Sequence, residues 1–412
     1  MNRACLPGTA GWALVSWALA GCASQTAEPP REPAAREPVA LAGAAAPAPS
    51  PTALNTTTAL PPSPASPVGA APPSPSSRTS PTPVAPPPPP PEPAATDGLA
   101  RGTGDPADAE LALGDTAYEA EKFKEARAHY RKAERLAPKD PAPKVGLVRV
   151  SVSEASLPLD YASAPRDARI PGLLKQLDAA LKLDPEYAPA LLERGHLLLI
   201  QGKADVAIDS LQQAAKLLPR HPEAQSAVGV ALMATGRAQE SLPYFERSAA
   251  LDRDNPDRLG NLGAAYLLQG RTAEAIKAFE RAALLVPGEA RFQSDLGTAY
   301  LAENRLDRAL PALQRAVDLD GKRASYQANL SYALQLGGNY DRAVEAAERA
   351  TVLEPQLGSA WLNLGTAHAK RGELDRAEAA FKRAQALDPE DPRAKANLEE
   401  LSELRRKKSA SP

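Results

Sequence analysis

Asn261, Asp295, Asn329 and Asn363 recur at intervals of 34 residues. A side-chain amide offers both a donor and an acceptor, so a row of amides can pair with a peptide backbone whatever its sequence. Three places after each stand Ala264, Thr298, Tyr332 and Thr366, and seven places after each stand Leu268, Ala302, Leu336 and Lys370. On one helix face these would form a mild, neutral and partly apolar peptide-binding surface. Ala is the better helix former, so replacing the asparagines by Ala is expected to leave the fold intact.

Catalytic chemistry finds little support. His129, His196, His221 and His368 are scattered, and none has a metal-ligand spacing. His368 takes a place where related segments carry Tyr or Leu, so it reads as a packed residue. Asp307, Asp341, Glu373 and Asp375 fall at turns and helix starts, where the helix dipole favours them. Gly-rich phosphate loops and nucleophile motifs are missing. No enzyme, cofactor or metal is expected. The two cysteines, Cys5 and Cys22, lie at the extreme N-terminus, so the rest of the chain has no disulfide or thiolate chemistry. A net charge of -2 and 4% aromatic residues argue against a nucleic-acid surface.

The elements that must position the amide row are repeats of 34 residues: 188–221, 222–255, 256–289, 290–323, 324–357 and 358–391, with 107–140 in the same frame. Position eight is Gly except for Ser331. Positions 20 and 27 are Ala or Ser. Large apolar residues such as Leu262, Tyr266, Phe279 and Leu285 recur at helical spacing. Position fifteen is Gly202, Gly236, Gly270, Asn304, Gly338 and Gly372, as a left-handed turn between two helices requires. Prolines such as Pro219 and Pro287 stop the second helix at position 32. Residues 141–187 form a degenerate unit with an insertion around Tyr161, read as a lengthened loop or as a partner-contacting one. Residues 392–408 read as a terminal helix covering the last apolar face, with Arg405, Arg406, Lys407 and Lys408 as solvated cations.

This pattern resembles the tetratricopeptide repeat, and the resemblance spans about 107–391. It implies an all-α fold, an α-solenoid of eight helix pairs forming a right-handed superhelix. Its concave groove, lined by first helices, would bind proteins or peptides. The amide row resembles the asparagine ladder in the repeat domain of O-linked N-acetylglucosamine transferase, where amides hold an extended peptide. A Lys/Asn clamp for an acidic C-terminal tail is not evident.

Before the repeats, residues 23–106 hold more than half of the 43 prolines, with an unbroken run at 86–91. Such Pro/Ala/Ser-rich sequence cannot offset the entropy of ordering and reads as a disordered tether. Its end-to-end distance lies between roughly 50 Å as a coil and about 260 Å as polyproline II. Residues 11–21 are apolar but too few to span a bilayer. Leu19-Ala20-Gly21-Cys22 follows and resembles a bacterial lipobox, in which the cysteine is acylated and becomes the first residue. Ala18-Leu19-Ala20 also suits an ordinary signal cleavage. In the lipoprotein sorting rule, Asp after the cysteine means retention. Ala23 and Ser24 therefore imply the outer membrane.

The combined expectation is an outer-membrane lipoprotein, signal peptide 1–21 and tether 22–106, that binds envelope proteins as an adaptor. It would be membrane-bound through its lipid and would not bind nucleic acid. Relatives of this layout include pilotins that assist pilus secretins and adaptors of cell-wall hydrolases. The alternatives are an unlipidated periplasmic binding protein or an accessory subunit of an enzyme on another chain. The first prediction concerns Cys22. The intact mass of membrane-extracted protein is expected to correspond to a chain starting at Cys22 with acyl chains attached. A chain starting at Gly21 without lipid would overturn the lipobox reading.

Overall fold

The computed structural model describes residues 98–155 and 167–410, with side chains as far as Arg406. Cys22, most of the tether and Tyr161 lie outside the described residues, so the expectations placed on them rest on sequence alone. Among the described residues all regular structure is helical, in seventeen helices.

The first unit contains α1 (Pro106–Glu119) and α2 (Phe123–Leu136), and the second contains α3 (Ala142–Glu154) and α4 (Ile170–Leu183). Six regular units follow: α5 (Ala188–Ile200) and α6 (Ala204–Leu217), α7 (Pro222–Ala234) and α8 (Ala238–Leu251), α9 (Pro256–Leu268) and α10 (Thr272–Leu285), α11 (Ala290–Ala302) and α12 (Leu306–Leu319), α13 (Ala324–Leu336) and α14 (Tyr340–Leu353), α15 (Gly358–Lys370) and α16 (Leu374–Leu387). Every regular unit thus places its helices at positions 1–13 and 17–30 of the 34-residue frame. The last helix, α17 (Pro392–Ala410), completes the array.

Local chemistry sets these limits. At the turn, Gly270 has φ 71° and Asn304 φ 57°. The left-handed residue lets the chain close on the helix end: Arg271 N donates to Tyr266 O at 2.9 Å and Gly270 N to Leu267 O at 3.0 Å. In the first unit the same position is Glu121, also left-handed at φ 57°, which strains a non-glycine residue by about 1 kcal/mol. Helix starts are capped by side chains where the sequence allows. Asn255 Oδ1 accepts from Asp257 N and Arg258 N at 3.1 and 3.2 Å, and His221 Nδ1 accepts from Ala224 N at 3.2 Å.

Each first helix packs on its own second helix and on the second helix before it. It also touches the first helix of the next unit, which second helices do not do to a comparable extent. The array therefore curves toward its first helices, and these line the inner face. Core residues are shared between neighbours, as in any repeat that cannot bury its apolar face alone. The terminal helix behaves as expected of a cap: Ala394 and Leu401 are buried against Ala377, Phe381 and Ala384. Its cations are not all solvated, however. Arg405 pairs with Asp375 at 2.6 Å and also with Glu378, tying α17 to α16.

The N-terminal boundary differs from the expected residue 107. Residues 98–105 form a strap on the first unit. Leu99 is buried in the cluster that contains Leu111 and Tyr130. Leu99 N and Ala100 N donate to Asp115 Oδ2 at 2.6 and 2.9 Å, and Arg101 pairs with Asp140 at 2.8 Å. Asp105 accepts from Ala107 N and Asp108 N and caps α1. Low apolar content hid this segment, because one leucine carries its burial. A chain beginning at Gly98 is expected to keep the thermal midpoint of the full chain. One beginning at Ala107 should melt earlier, starting with the first unit, and Leu99→Ala alone should cost about 2–5 kcal/mol. Equal melting of both truncations, followed by circular dichroism, would show that the strap contributes nothing.

Candidate functional site

The inner face offers the candidate site, and its polar residues divide into two stretches. In the second stretch lies the amide row. The sequence expectation that this row faces the groove needs correction. Asn261, Asp295 and Asn363 are only 2%, 4% and 1% exposed, and Asn329 is half-buried. Successive first helices approach so closely that position six falls between them.

The amides are consequently in use. Asn261 Nδ2 donates to Ser226 Oγ at 3.4 Å, and Asn329 Nδ2 to Ser294 Oγ at 3.3 Å. Asn363 Nδ2 donates to the Ala328 carbonyl at 2.9 Å. Each bond reaches back 35 residues, to position five of the preceding unit, and ties one first helix to the previous one. The side-chain oxygens do not share in this. Asn261 Oδ1, Asn363 Oδ1 and Asp295 Oδ2 are buried without a hydrogen-bond partner. The row also has a further member that sequence reasoning missed. Asn397 on α17 is 1% exposed and occupies the same position, although its Nδ2 is buried without a hydrogen-bond partner. The dipeptide Asn-Leu at 397–398 repeats that at 261–262, 329–330 and 363–364. Reading 392–408 only as a cap obscured it.

The flanking candidates are placed differently from one another. Thr298 and Tyr332 are half-buried, Thr366 is buried and Lys370 is exposed at the end of α15. The threonine hydroxyls bond back to their own helix, Thr298 to Ser294 O and Thr366 to Leu362 O, both at 2.9 Å. Burial raises the pKa of the Tyr332 hydroxyl. Leu336 is 53% exposed beside it. Tyr332, Leu336 and Lys370 are therefore the groups here that a partner could reach.

The first stretch, for which the sequence offered no candidate row, is strongly charged. A chain of Arg, Glu and His side chains crosses α3, α5, α7 and α9. Arg149 Nε meets Glu193 Oε1 at 2.7 Å. His196 Nδ1 lies 3.8 Å from Glu193 Oε2, and its Nε2 lies 3.6 Å from Glu223 Oε1. Glu223 Oε2 meets Arg258 Nη1 at 3.1 Å, and Arg258 Nε meets Asp252 at 2.9 Å. Burial opposes the charge of Glu193, but Arg149 and His196 outweigh it and hold its carboxyl at about 2. The chain is aperiodic, so a search for repeating columns passes over it. Between the two stretches, Arg291 pairs with Asp257.

The histidines stay apart. His368 is buried as expected, with Nδ1 2.6 Å from Glu373 Oε2, and His129 lies 2.8 Å from Glu110. Asp341 and Asp375 pair with Arg371 and Arg405. Among the described residues no group of three or more His, Cys, Asp or Glu could hold a metal, and no helix is long and apolar enough to cross a membrane.

An inner face built from paired helices in a 34-residue frame defines the class: a helical repeat solenoid whose first helices line one face. Models of the tetratricopeptide repeat match residues 92–141, 174–219, 220–285, 266–331 and 328–392, and the chain belongs to that family. Arrays of this kind are protein–protein interaction scaffolds, and the protein is one at that level of description. Among solved structures it is similar to Cut9–Hcn1, a hetero-tetramer of the APC/C, at 16% identity and a TM-score of 0.54 over 73% of this chain. It spans 57% of the length of that chain. YrrB, a tetratricopeptide protein with an unusual peptide-binding site, is 20% identical over 48% of this chain and 95% of its own, with a TM-score of 0.40. The pilF protein of Pseudomonas aeruginosa is 19% identical over 51% of this chain and 96% of its own, with a TM-score of 0.44. No curated protein matches.

The burial of the amides reverses the expectation for their removal. Changing Asn261, Asn329 and Asn363 together to Ala strands Ser226, Ser294 and the Ala328 carbonyl. Each lost bond should cost about 0.5–1.5 kcal/mol, roughly 2–4 kcal/mol in all. Urea unfolding followed by circular dichroism reads this directly. An unchanged midpoint would mean that the bonds between first helices contribute nothing.

Proposed function

We propose that the protein is an envelope adaptor, held to the outer membrane by a lipid on Cys22, whose inner face grips an extended segment of a partner protein. The observation that carries this reading is the surface along α9 to α15. Leu336 and Lys370 are exposed there and Tyr332 is half-buried beside them. The tyrosine ring, the leucine and the ammonium would then select side chains of the segment at three points. The Pro-rich stretch before Gly98 would serve as a tether, giving the array a working radius of roughly 50 to 230 Å from the membrane. Aperiodic ion pairs in the first stretch leave fewer free polar groups, so the second stretch is the better seat for the segment. A role in assembling a pilus or secretin machine, or in organising cell-wall enzymes, follows if the partner belongs to one of these.

Photocrosslinking in intact cells tests the reading. A reactive residue placed at 336 or 370 in the full chain should capture a partner. One at 284 or 352 should not, although Leu284 and Val352 are 78% and 79% exposed on the second helices. Tyr332→Ala with Lys370→Ala should weaken the captured complex by about tenfold or more, or ~1.4 kcal/mol. Adducts confined to 284 and 352 would move the partner to the outer face and overturn the proposal.

A further inference from the structure

Asp295 interrupts the amide row. Asn261, Asn329 and Asn363 each send an N–H to the residue 35 places earlier. A carboxylate has no proton to send. For Asp295 the same register falls on Gly260, which has no side chain and so offers only its backbone carbonyl, as Ala328 does for Asn363. An ionised Asp295 would set acceptor against acceptor.

The surroundings supply no substitute. Asp295 is 4% exposed, forms no hydrogen bond among the described residues, and has Oδ2 buried without a partner. On its own helix, Arg291 stands one turn earlier, but its guanidinium is committed through Nη2 to Asp257 of α9, and its Nη1 is buried without a partner. From α13 the nearby titratable group is Tyr326, with Arg323 just before that helix. Glu289 precedes α11. Of all these only Arg291 favours the charged form of Asp295.

We propose that the joint between units 256–289 and 290–323 is a proton-operated latch. With Asp295 protonated, its O–H donates across to α9 at the Gly260 carbonyl and completes the row. With Asp295 ionised, that bond is lost and a buried charge opposed only by Arg291 remains between the two first helices. The step is a simple protonation, one proton taken from solvent per chain. Burial, only partly offset by Arg291, raises the carboxyl from its ordinary 3.8 to about 7. The folded pKa thus exceeds the unfolded one, and the folded state binds more protons between these values. The latch contributes fully below about pH 4 and loses its contribution as pH rises through about 7. Its midpoint sits where modest acidification changes its state. The inference concerns the array itself and stands whether or not the inner face binds a peptide.

Hydrogen exchange on the full-length chain reads the latch without any partner. After correction for intrinsic exchange, amides of α9 and α11 in the wild type should lose at least tenfold in protection between about pH 5.5 and 8.5. Asp295→Asn restores a permanent donor, so its protection should stay level over that range. Amides of α5 and α15 should follow the same course in both proteins. A second measurement is direct: the Asp295 carboxyl carbon should titrate near 7 by NMR. Parallel protection profiles in the two proteins, or a carboxyl titrating near 4, would overturn the proposal.

Discussion

The whole array depends on one close approach, repeated in nearly every unit. A Cβ added to Gly263 would lie 2.6 Å from the ring of Phe279, and one added to Gly365 would lie 2.5 Å from Phe381. Position eight of the first helix therefore receives the large side chain at position 24 of the second. Tyr130, Leu211, Phe245 and Leu313 fill the same role in other units, all essentially buried. The exception supports the rule. Where position eight is Ser331, position 24 is Ala347, and the serine hydroxyl donates to the Ala343 carbonyl at 2.7 Å. Volume removed from one helix is returned by the other, and the added hydroxyl is satisfied where it is buried.

That contact propagates outward. Two helices this close need a short, sharply closed connection, which the left-handed residue at position fifteen provides. The pair then has a fixed shape, so identical pairs stack with an identical offset. First helices meet first helices along the inner face, and position six is forced between them. A residue there must be small or must satisfy its polar atoms toward the previous unit. The asparagines follow from this geometry. Asn261, Asn329 and Asn363 are interunit ties first.

This explains what could be read in advance and what could not. The frame, the helix limits and the turn at Gly270 or Asn304 depend on local residue types repeated in register, so the sequence displays them plainly. The burial of Asn261 and Asn363 depends on the distance between helices of different units, which no local pattern encodes. The strap at Leu99 and the chain from Arg149 to Arg258 occur once each, so periodicity is blind to them. Asn397 was visible in the Asn-Leu dipeptide but lay beyond the last complete unit. Glu121 also went unread, because its type gives no hint of a left-handed turn.

A uniform frame thus carries joints of unequal character. In a solenoid, stability is close to a sum of unit terms and nearest-neighbour terms, so a local difference at one joint stays local. The joints from α3 to α9 carry the largely buried pairs Arg149–Glu193 and Arg258–Glu223, and the joint of α7 with α9 also carries the Asn261 amide. Those from α11 to α15 are held by amides at 3.3 and 2.9 Å, neutral bonds of about 1 kcal/mol each. Between the two kinds lies Asp295, with no bond at all. The same pairing of Gly with a large side chain that makes the units alike therefore leaves the differences between joints to the polar residues placed between neighbouring first helices, those at position six among them.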